Sequence, residues 1–539
     1  MRIHAPLLGM VLGLSLPASA AVATGKVFGN HMVLQRGAPI PVFGTAAANE
    51  AVTVSLNGQT VSGKADGSGK WKVALPTMTA GGPYTMTIKG TNTLTYTDVM
   101  VGEVWHCAGQ SNMDTRMNYG EYPNLADSIK TANYPKLRYI TMRQPGQTIQ
   151  WQQVSPTTVG SMSATGYFFG RDLLDNLGGV AIGIVNTSVG GTTIRQWLDP
   201  ATLAATPDLA KDTLAGIMYE AWIKPVEGYG VKGSVYLQGE NDASSSALVG
   251  AYGRRLASLI PGWRKAWNQP DMPFLIAGLC HKGVLQVAAG ESSNEALVRE
   301  FQRGVTDTTR LSWLSVLVDL GDDVTWHYPQ KPQAGKRLGM LARGAVYRQT
   351  GFVHQSPRPT ACFRRGTSIV VPWDARGSSL RLSGGSSPTG FQVAGSDNKW
   401  TWASGATLKG DTVFLTTSLA NPTQVRHAWA NQPIMNLWSA AGFPATPFQM
   451  PIAAATSVPD PLGARSSRSL SAVPGGWRIP LDGAIEVSVR DPKGRLLSRR
   501  SGLGDRDGFL LERAGLPSGL LMVEARGGGE AVRGRILVP

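Results

Sequence analysis

The chain has 539 residues, of which 42% are hydrophobic and 16% charged, a composition that supports several folded domains and excludes a disordered chain. The formal net charge is +15, but lysine and arginine are scattered along the chain, which argues against a nucleic-acid partner. The three cysteines, Cys107, Cys280 and Cys362, are too few for a disulfide framework, and no cysteine–histidine cluster has zinc spacing.

The first 20 residues have the three parts of a secretory signal peptide. A basic start at Arg2 precedes an apolar stretch at 7–16, and small residues complete the pattern at Ala20. No later run of about 20 apolar residues occurs, so we expect no membrane span. The pattern predicts a protein that is secreted, periplasmic or at the cell surface.

Residues 21–98 predict an N-terminal β-sandwich domain, because short stretches of period-2 alternation are separated by turns. From 99 to 350, short apolar strands alternate with helical stretches, which predicts an α/β domain with a mostly parallel, three-layer sheet. The predicted strands are 99–107, 137–142, 180–185, 233–238, 273–279 and 314–320. The predicted helices are 166–176, 247–267, 295–308 and 334–347.

The β pattern returns after residue 350. Residues 351–456 predict a β-rich domain, and residues 457–539 predict a linker followed by a small β domain. The linker is the Pro/Ser-rich stretch 457–471. The last domain is rich in arginine, which favours contact with an anionic cell envelope or a polysaccharide.

The predicted strand 99–107 is followed by Gly109-Gln110-Ser111-Asn112-Met113. A serine directly after a strand and a glycine lies at the carboxyl edge of the sheet, where open α/β sheets hold their sites. Free N–H groups at the start of a following helix can stabilise an oxyanion. Two interpretations remain open from this stretch alone: Ser111 is a nucleophile, or it is the N-cap of the next helix.

Two later strand ends carry groups that an acyl-transfer site needs. Gly190 and Gly191 follow the third predicted strand, and a glycine pair lets the backbone aim N–H groups at a ligand. Gln238 and Glu240 end the fourth: the Gln238 amide can donate to an oxyanion, and Glu240 can accept backbone hydrogen bonds that hold the loops together. The alternatives are an ordinary turn at the glycine pair and a polar strand cap at Gln238 and Glu240.

His327 follows the last predicted strand of this region and precedes a predicted helix. Serine acyl transfer needs a base that titrates near neutral pH, and histidine is the side chain with that pKa. The base in turn needs an orienting carboxylate, and Asp322 and Asp323 lie shortly before it. A purely structural histidine is the alternative, but four strand ends that each carry part of one site favour catalysis.

Together these motifs resemble the SGNH-type sialate O-acetylesterase family and its acetylxylan-esterase relatives. The motifs that carry the resemblance are Gly109-Gln110-Ser111-Asn112-Met113, Gly190-Gly191-Thr192, Gln238-Gly239-Glu240 and His327. Residues 32–36 and 39–44 look like the leading β domain of that family, and residues 425–430 and 442–448 look like its closing segment. The resemblance covers about residues 26–450 and leaves out the last domain.

The resemblance implies an α/β fold, with an SGNH-hydrolase-like three-layer α/β/α domain and flanking β-sandwich domains. It implies that Ser111 is the nucleophile and that His327 is the base. The backbone N–H groups of Ser111 and Gly191, with the side chain of Gln238, would form the oxyanion hole.

The chain departs from the family near the histidine. Relatives usually carry an aspartate two or three residues before it, where this chain has Thr325 and Val324. Asp323 is therefore the predicted orienting acid, and a backbone carbonyl is the alternative. A second departure is at Asn241, in the loop with Glu240, which we expect to touch the substrate.

The predicted function is that of a secreted serine carbohydrate O-acetylesterase, which hydrolyses O-acetyl esters of sugars through an acyl-enzyme. Its partner is an acetylated carbohydrate, and the chemistry needs no metal or organic cofactor. An acetylxylan esterase acting on plant polysaccharide is one alternative. A carbohydrate-binding surface protein without catalytic activity is the other.

Overall fold

The computed structural model of the chain describes residues 21–142, 149–209 and 214–453, and several parts of the remainder. Those parts are 471–473, 476–479, 483–491, 496–504, 509–512, 516, 519–527 and 530–538. The predicted signal peptide and nearly all of the predicted linker lie outside the described residues. The chain divides into two compact units, Met1–Ala454 and Ala455–Pro539.

The first unit begins with a β region. Its strands β1 to β7 are Ala23–Thr24, Val33–Gln35, Ile40–Thr45, Ala51–Leu56, Gln59–Lys64, Lys70–Leu75 and Gly81–Lys89. Strands β1, β3 and β6 form one small sheet, and β4, β5 and β7 pair with one another. Val42 and Trp71 from the first group and Val54 and Ile88 from the second belong to one buried core, since alternate residues of each strand face inward.

One long strand, β8 (Thr93–Gly109), joins this region to the central sheet. Its first half pairs with β7, and its second half lies in the middle of a sheet with strands β9 to β14. Those strands are Tyr134–Thr141, Gln152–Val154, Ile182–Asn186, Gly233–Leu237, Phe274–Ala277 and Ser312–Ser315. Their spatial order is β10-β9-β11-β8-β12-β13-β14, and every pair except β10–β9 is parallel.

Helices cover both faces of this sheet. The helices α1 to α9 are Ser111–Asp114, Ala126–Lys130, Ala164–Asn176, Pro200–Ala205, Glu240–Ala243, Ser246–Val249, Tyr252–Ala266, Asn294–Thr308 and Lys331–Leu341. Trp105 and Cys107 of β8 share a core with residues of α3 and α9, whereas Val104 and Ala108 share another with residues of α7 and α8. Successive side chains of a strand point to opposite faces, so β8 is buried on both. This is the predicted three-layer α/β/α arrangement.

All six strands predicted between residues 99 and 350 are present as β8, β9, β11, β12, β13 and β14. The predicted helices are present as α3, α8, α9 and the pair α6 and α7. The helix predicted at 247–267 is interrupted at Gly250, a residue with low helix propensity. The predicted strand 314–320 ends at Ser315, and a 3₁₀ turn, Val318–Leu320, follows it. Strand β10 was not predicted.

The first unit ends in a β-rich region. Its strands β15 to β25 are Arg358–Pro359, Phe363–Arg365, Ser368–Asp374, Leu380–Leu382, Phe391–Ala394, Trp400–Trp402, Gly405–Lys409, Thr412–Thr416, Gln424–His427, Leu437–Ser439 and Phe448–Pro451. They form small antiparallel sheets around a core that includes Val371, Val393 and Leu415.

The second unit is also β. Its strands β26 to β32 are Ser471–Val473, Gly476–Ile479, Gly483–Arg490, Leu496–Gly504, Phe509–Glu512, Gly519–Gly527 and Glu530–Val538. They form a three-stranded and a four-stranded antiparallel sheet. Val487, Leu511 and Val523 belong to its buried core.

Candidate active site

Ser111 is the first residue of α1, directly beyond the carboxyl end of β8. The turn depends on Gly109, whose φ is +128° and where a Cβ would overlap the carbonyl oxygen of Leu237 on the neighbouring strand. The N-cap position belongs to Gln110, so Ser111 is not the cap of its helix. Its side chain is left to line a surface pocket of about 650 Å³.

The glycine pair that follows β11 lies beside the serine. A Cβ on Gly190 would lie 3.5 Å from the Cβ of Ser111, so this loop packs directly against the serine. Gly191 has a φ of +73° and also lines the pocket. Among the described residues, no backbone carbonyl accepts a hydrogen bond from the N–H of Ser111 or Gly191. Both groups are therefore available to an oxyanion.

His327 lines the same pocket from the loop between the Val318–Leu320 turn and α9. Its side chain is 28% exposed, and its Nδ1 lies 3.2 Å from the hydroxyl of Tyr119 and 3.9 Å from Oε2 of Glu121. Burial and the nearby Lys331 lower the pKa of His327, and Glu121 opposes them. No hydrogen bond joins Ser111 to His327 within the described residues, as is common in a catalytic pair without substrate.

Asp323 does not contact His327. Its Oδ1 accepts a hydrogen bond of 2.8 Å from Nε2 of Gln432 and lies 3.7 Å from Nε2 of His281, and the carboxylate is 72% exposed. The predicted pairing of Asp323 with His327 is therefore not made. The cause is local: Asp322 accepts hydrogen bonds from the backbone of the next residues and turns the chain, which directs Asp323 away from the histidine.

Gln238 does not line the pocket either. Its side chain is buried, and its Nε2 donates to Oδ2 of Asp242 at 2.6 Å and lies 3.2 Å from both Oε1 of Gln110 and the carbonyl of Thr192. A carboxylate is a stronger acceptor than a carbonyl and holds the amide inside the protein. In this structure the Gln238 amide therefore does not reach the pocket, where its predicted role in the oxyanion hole would place it, and the side chain ties three strand ends together.

Glu240 accepts a hydrogen bond from a side chain of α1, whereas the sequence suggested backbone N–H groups as its donors. Its Oε1 accepts a hydrogen bond of 2.5 Å from Nδ2 of Asn112, and Nζ of Lys331 donates to Oδ1 of the same asparagine. Glu240 is 7% exposed and Lys331 0%, so a carboxylate and an ammonium group are both buried beneath the serine. Burial raises the pKa of Glu240 and lowers that of Lys331 to about 7.

Asn241 lines the pocket and links two of its walls. Its Nδ2 donates to the carbonyl of Gly191 at 2.6 Å, and its backbone N–H donates to Oε1 of Gln110 at 3.2 Å. The loop after β12 is thereby tied to the loops after β8 and β11. This places Asn241 where a substrate would contact it.

Four residues of this site were not predicted: Asn112, Tyr119, Glu121 and Lys331. Asn112 lay inside the motif that contains Ser111 and was given no role. Lys331 carried a signal, because a lysine in the first turn of a helix opposes the helix dipole and needs a specific partner. Nothing in the sequence pattern identified Tyr119 or Glu121, which follow α1 in a loop.

The described residues contain no helix with the length and apolar character needed to cross a bilayer. They also contain no group of three or more histidine, cysteine or acidic side chains arranged to hold a metal ion. His106 and the three cysteines are buried and are not among the residues that line the pocket.

A family match, two sequence relatives and a solved structure all point to carbohydrate esterases. The family described as carbohydrate esterase, sialic acid-specific acetylesterase, matches residues 101–339. The sialate O-acetylesterases of Homo sapiens and Pongo abelii are each 31% identical over an alignment of 419 positions, and the matches cover 65% of this chain and 77% of theirs. A carbohydrate acetylesterase from Xanthomonas citri is 32% identical and superposes with a TM-score of 0.72, covering 80% of this chain and 99% of its own.

The predicted fold class, an SGNH-hydrolase-like three-layer domain with flanking β domains, is confirmed by this structural match. The interpretation of the chain as a binding protein without catalytic activity is set aside by the family match. The chain belongs to the sialate O-acetylesterase family of carbohydrate esterases and is a carboxylic ester hydrolase.

Proposed function

We propose that this enzyme is a secreted carbohydrate O-acetylesterase that works through an acetyl-enzyme on Ser111. The observation that carries the proposal is the common pocket of Ser111, Gly191 and His327, which is formed by three separate loops. A nucleophile, two open backbone N–H groups and a base near neutral pH are the parts that serine acyl transfer requires.

In the first half of the reaction, Oγ of Ser111 attacks the acetyl carbonyl carbon and its proton passes to Nε2 of His327. The N–H groups of Ser111 and Gly191 stabilise the negative charge that develops on the carbonyl oxygen. The bond from the acetyl carbon to the sugar oxygen then breaks, and His327 returns the proton to that oxygen. In the second half, His327 takes a proton from water, and the water oxygen attacks the acetyl carbon. The bond from that carbon to Oγ of Ser111 then breaks, acetate leaves, and His327 returns the proton to Oγ.

Ser111→Ala should lower the rate of acetyl ester hydrolysis by at least about a thousandfold while the fold is kept. The rate is measured with p-nitrophenyl acetate. Ser244→Ala is the matched control, because Ser244 lines the same pocket but its hydroxyl donates to the carbonyl of Asn241. Near-parental turnover by Ser111→Ala would refute the assignment of the nucleophile.

Acetylated sialic acid is the proposed substrate, since the relatives named above are sialate O-acetylesterases. One observation favours acetylated xylan as a second candidate: the described residues that line the pocket include no lysine or arginine to pair with the carboxylate of a sialic acid. Release of acetate from the two substrates, compared as kcat/KM, distinguishes them. A preference of tenfold or more for xylan would replace the sialate assignment.

Two further proposals concern the ends of the chain. Export rests on the basic and apolar pattern of the first 20 residues, and is tested by locating the mature protein and its N-terminus after expression.

Contact with an envelope or polysaccharide rests on the arginine content of the last domain. A chain that ends near residue 456 should keep its activity on p-nitrophenyl acetate and lose retention on insoluble polysaccharide.

A further inference from the structure

We propose that Tyr119 and Glu121 together position His327, the role that the sequence analysis predicted for Asp323. The proposal rests on the proposed function, because it gives the base of the serine mechanism its orienting partners. Tyr119 and Glu121 belong to the loop after α1, and Tyr119 precedes His327 by 208 residues in sequence.

The three side chains form a chain of polar contacts. The hydroxyl of Tyr119 donates to Oε1 of Glu121 at 3.1 Å and lies 3.2 Å from Nδ1 of His327. Oε2 of Glu121 lies 3.9 Å from the same Nδ1. The ring of Tyr119 also packs edge-on against the imidazole, with 5.6 Å between ring centroids and an angle of 84°. The imidazole is thus held by a packing contact and a polar contact at once.

The direction of these hydrogen bonds fixes the tautomer of His327. A phenol hydroxyl has one hydrogen, and Tyr119 uses it to donate a hydrogen bond to the carboxylate of Glu121. Its oxygen can then only accept from Nδ1, so Nδ1 carries the proton of the neutral imidazole. Nε2 is left without a proton and free to take the one from Ser111, which is the arrangement that an orienting aspartate provides in a serine triad.

The charges around His327 agree with this role. Glu121 and Lys331 are the charged groups that act on it: the carboxylate raises the pKa of the imidazole, and the buried ammonium group lowers it. Burial and Glu121 raise the pKa of Tyr119, which keeps its hydroxyl protonated as the donor. When His327 accepts the serine proton, the new positive charge therefore lies next to an acceptor oxygen and 3.9 Å from a carboxylate oxygen.

The other candidate partners are engaged elsewhere. The carboxylate of Asp323 contacts Gln432 and His281, and Asp322 binds the backbone of its own loop. Thr325 stands where relatives have an aspartate, but its hydroxyl accepts the backbone N–H of His327 at 3.0 Å and so holds the loop rather than the ring.

The first test is Tyr119→Phe, which removes the hydroxyl and keeps the ring. We expect kcat for p-nitrophenyl acetate to fall about 10- to 100-fold, with KM changed less than about twofold, because tautomer and orientation matter in the transition state. Tyr122→Phe is the matched control: its hydroxyl donates to Thr115 and does not touch the histidine. Parental kcat in Tyr119→Phe would overturn the proposal.

The second test is Glu121→Gln, at a side chain that is 52% exposed, so the substitution should leave the fold intact. Loss of the negative charge lowers the pKa of His327, so the acid limb of kcat/KM should move to lower pH by about 0.5 unit while kcat falls about 3- to 10-fold. Asp127→Asn, at a carboxylate 93% exposed on α2, is the control and should leave both unchanged. If Glu121 had only a structural role, the pH at which kcat/KM falls on the acid side would stay the same in Glu121→Gln. An unchanged acid side of the profile would therefore overturn the proposal.

Combining Tyr119→Phe with Glu121→Gln should cost little more than Tyr119→Phe alone, because both act through one chain of contacts. Fully additive losses would overturn the shared role. These outcomes separate from the nucleophile test: an inactive Ser111→Ala enzyme with a fully active Tyr119→Phe enzyme refutes the positioning alone, whereas an active Ser111→Ala enzyme refutes both.

Discussion

The serine side and the histidine side of the pocket are built differently. Ser111 follows a central strand, and its neighbours Gln110 and Asn112 are 3% and 1% exposed and hydrogen-bonded to the adjacent strand ends. His327 comes from a loop in which Val324 is 85% exposed. The nucleophile is therefore held by the fold itself, and the base by a few side-chain contacts. Substitutions in the buried network around Ser111 should therefore act through stability, and those on the histidine side through catalysis.

The largest effect should come from His327→Ala. Loss of the base should lower kcat/KM by about a thousandfold or more, whereas the melting temperature should stay near the parental value because the loop is exposed. Hydrolysis of p-nitrophenyl acetate and thermal unfolding measure the two quantities. His31→Ala, at a histidine 45% exposed in the N-terminal β region, is the control. A large fall in melting temperature would contradict the division between the two sides.

Lys331→Met tests the serine side. Removing the buried ammonium group takes away the donor to Oδ1 of Asn112 and the positive charge that favours the ionised form of Glu240, which should lower the free energy of unfolding by about 3 kcal/mol. Adding Glu240→Gln should restore part of the loss. Denaturant unfolding gives these values, and Lys336→Met, at an exposed position of α9, is the control. An unchanged free energy of unfolding in Lys331→Met would show that the buried network does not hold this side.

Asp323→Asn should have the smallest effect. Its carboxylate is exposed and contacts Gln432 rather than the catalytic histidine, so kcat should remain within about twofold of the parental value. Glu121→Gln, assayed beside it, should lose more. A loss of orders of magnitude in Asp323→Asn alone would mean that the loop rearranges to place Asp323 on the histidine when substrate binds.

The same contrast explains how much the sequence could predict. The strands were recognised by their apolar runs, and the groups at their ends, Ser111, Gly191 and Glu240, meet in one pocket because parallel strands end at one edge. Side-chain direction beyond a strand end is not periodic. The proximity of Asp323 to His327 in sequence therefore said nothing about where its carboxylate points.

Two other features depended on distant partners. Gln238 was expected in the pocket, but Asp242 of α5 binds its amide from within, and only the folded turn brings the two together. Tyr119 reaches His327 across 208 residues of sequence, and an ordinary loop tyrosine carries no pattern that marks such a contact. Partners like these come from tertiary structure and lie outside what local patterns encode.

Trapping the acetyl-enzyme shows directly whether Ser111 is the nucleophile. The enzyme is mixed with p-nitrophenyl acetate, quenched in acid within the first turnover, digested and analysed by mass spectrometry. We expect one acetyl group on the peptide that contains Ser111, absent from Ser111→Ala, together with a burst of p-nitrophenol close to one equivalent when deacetylation is the slower step. An acetyl group on another residue that turns over at the catalytic rate, or hydrolysis at the parental rate by Ser111→Ala, would contradict it.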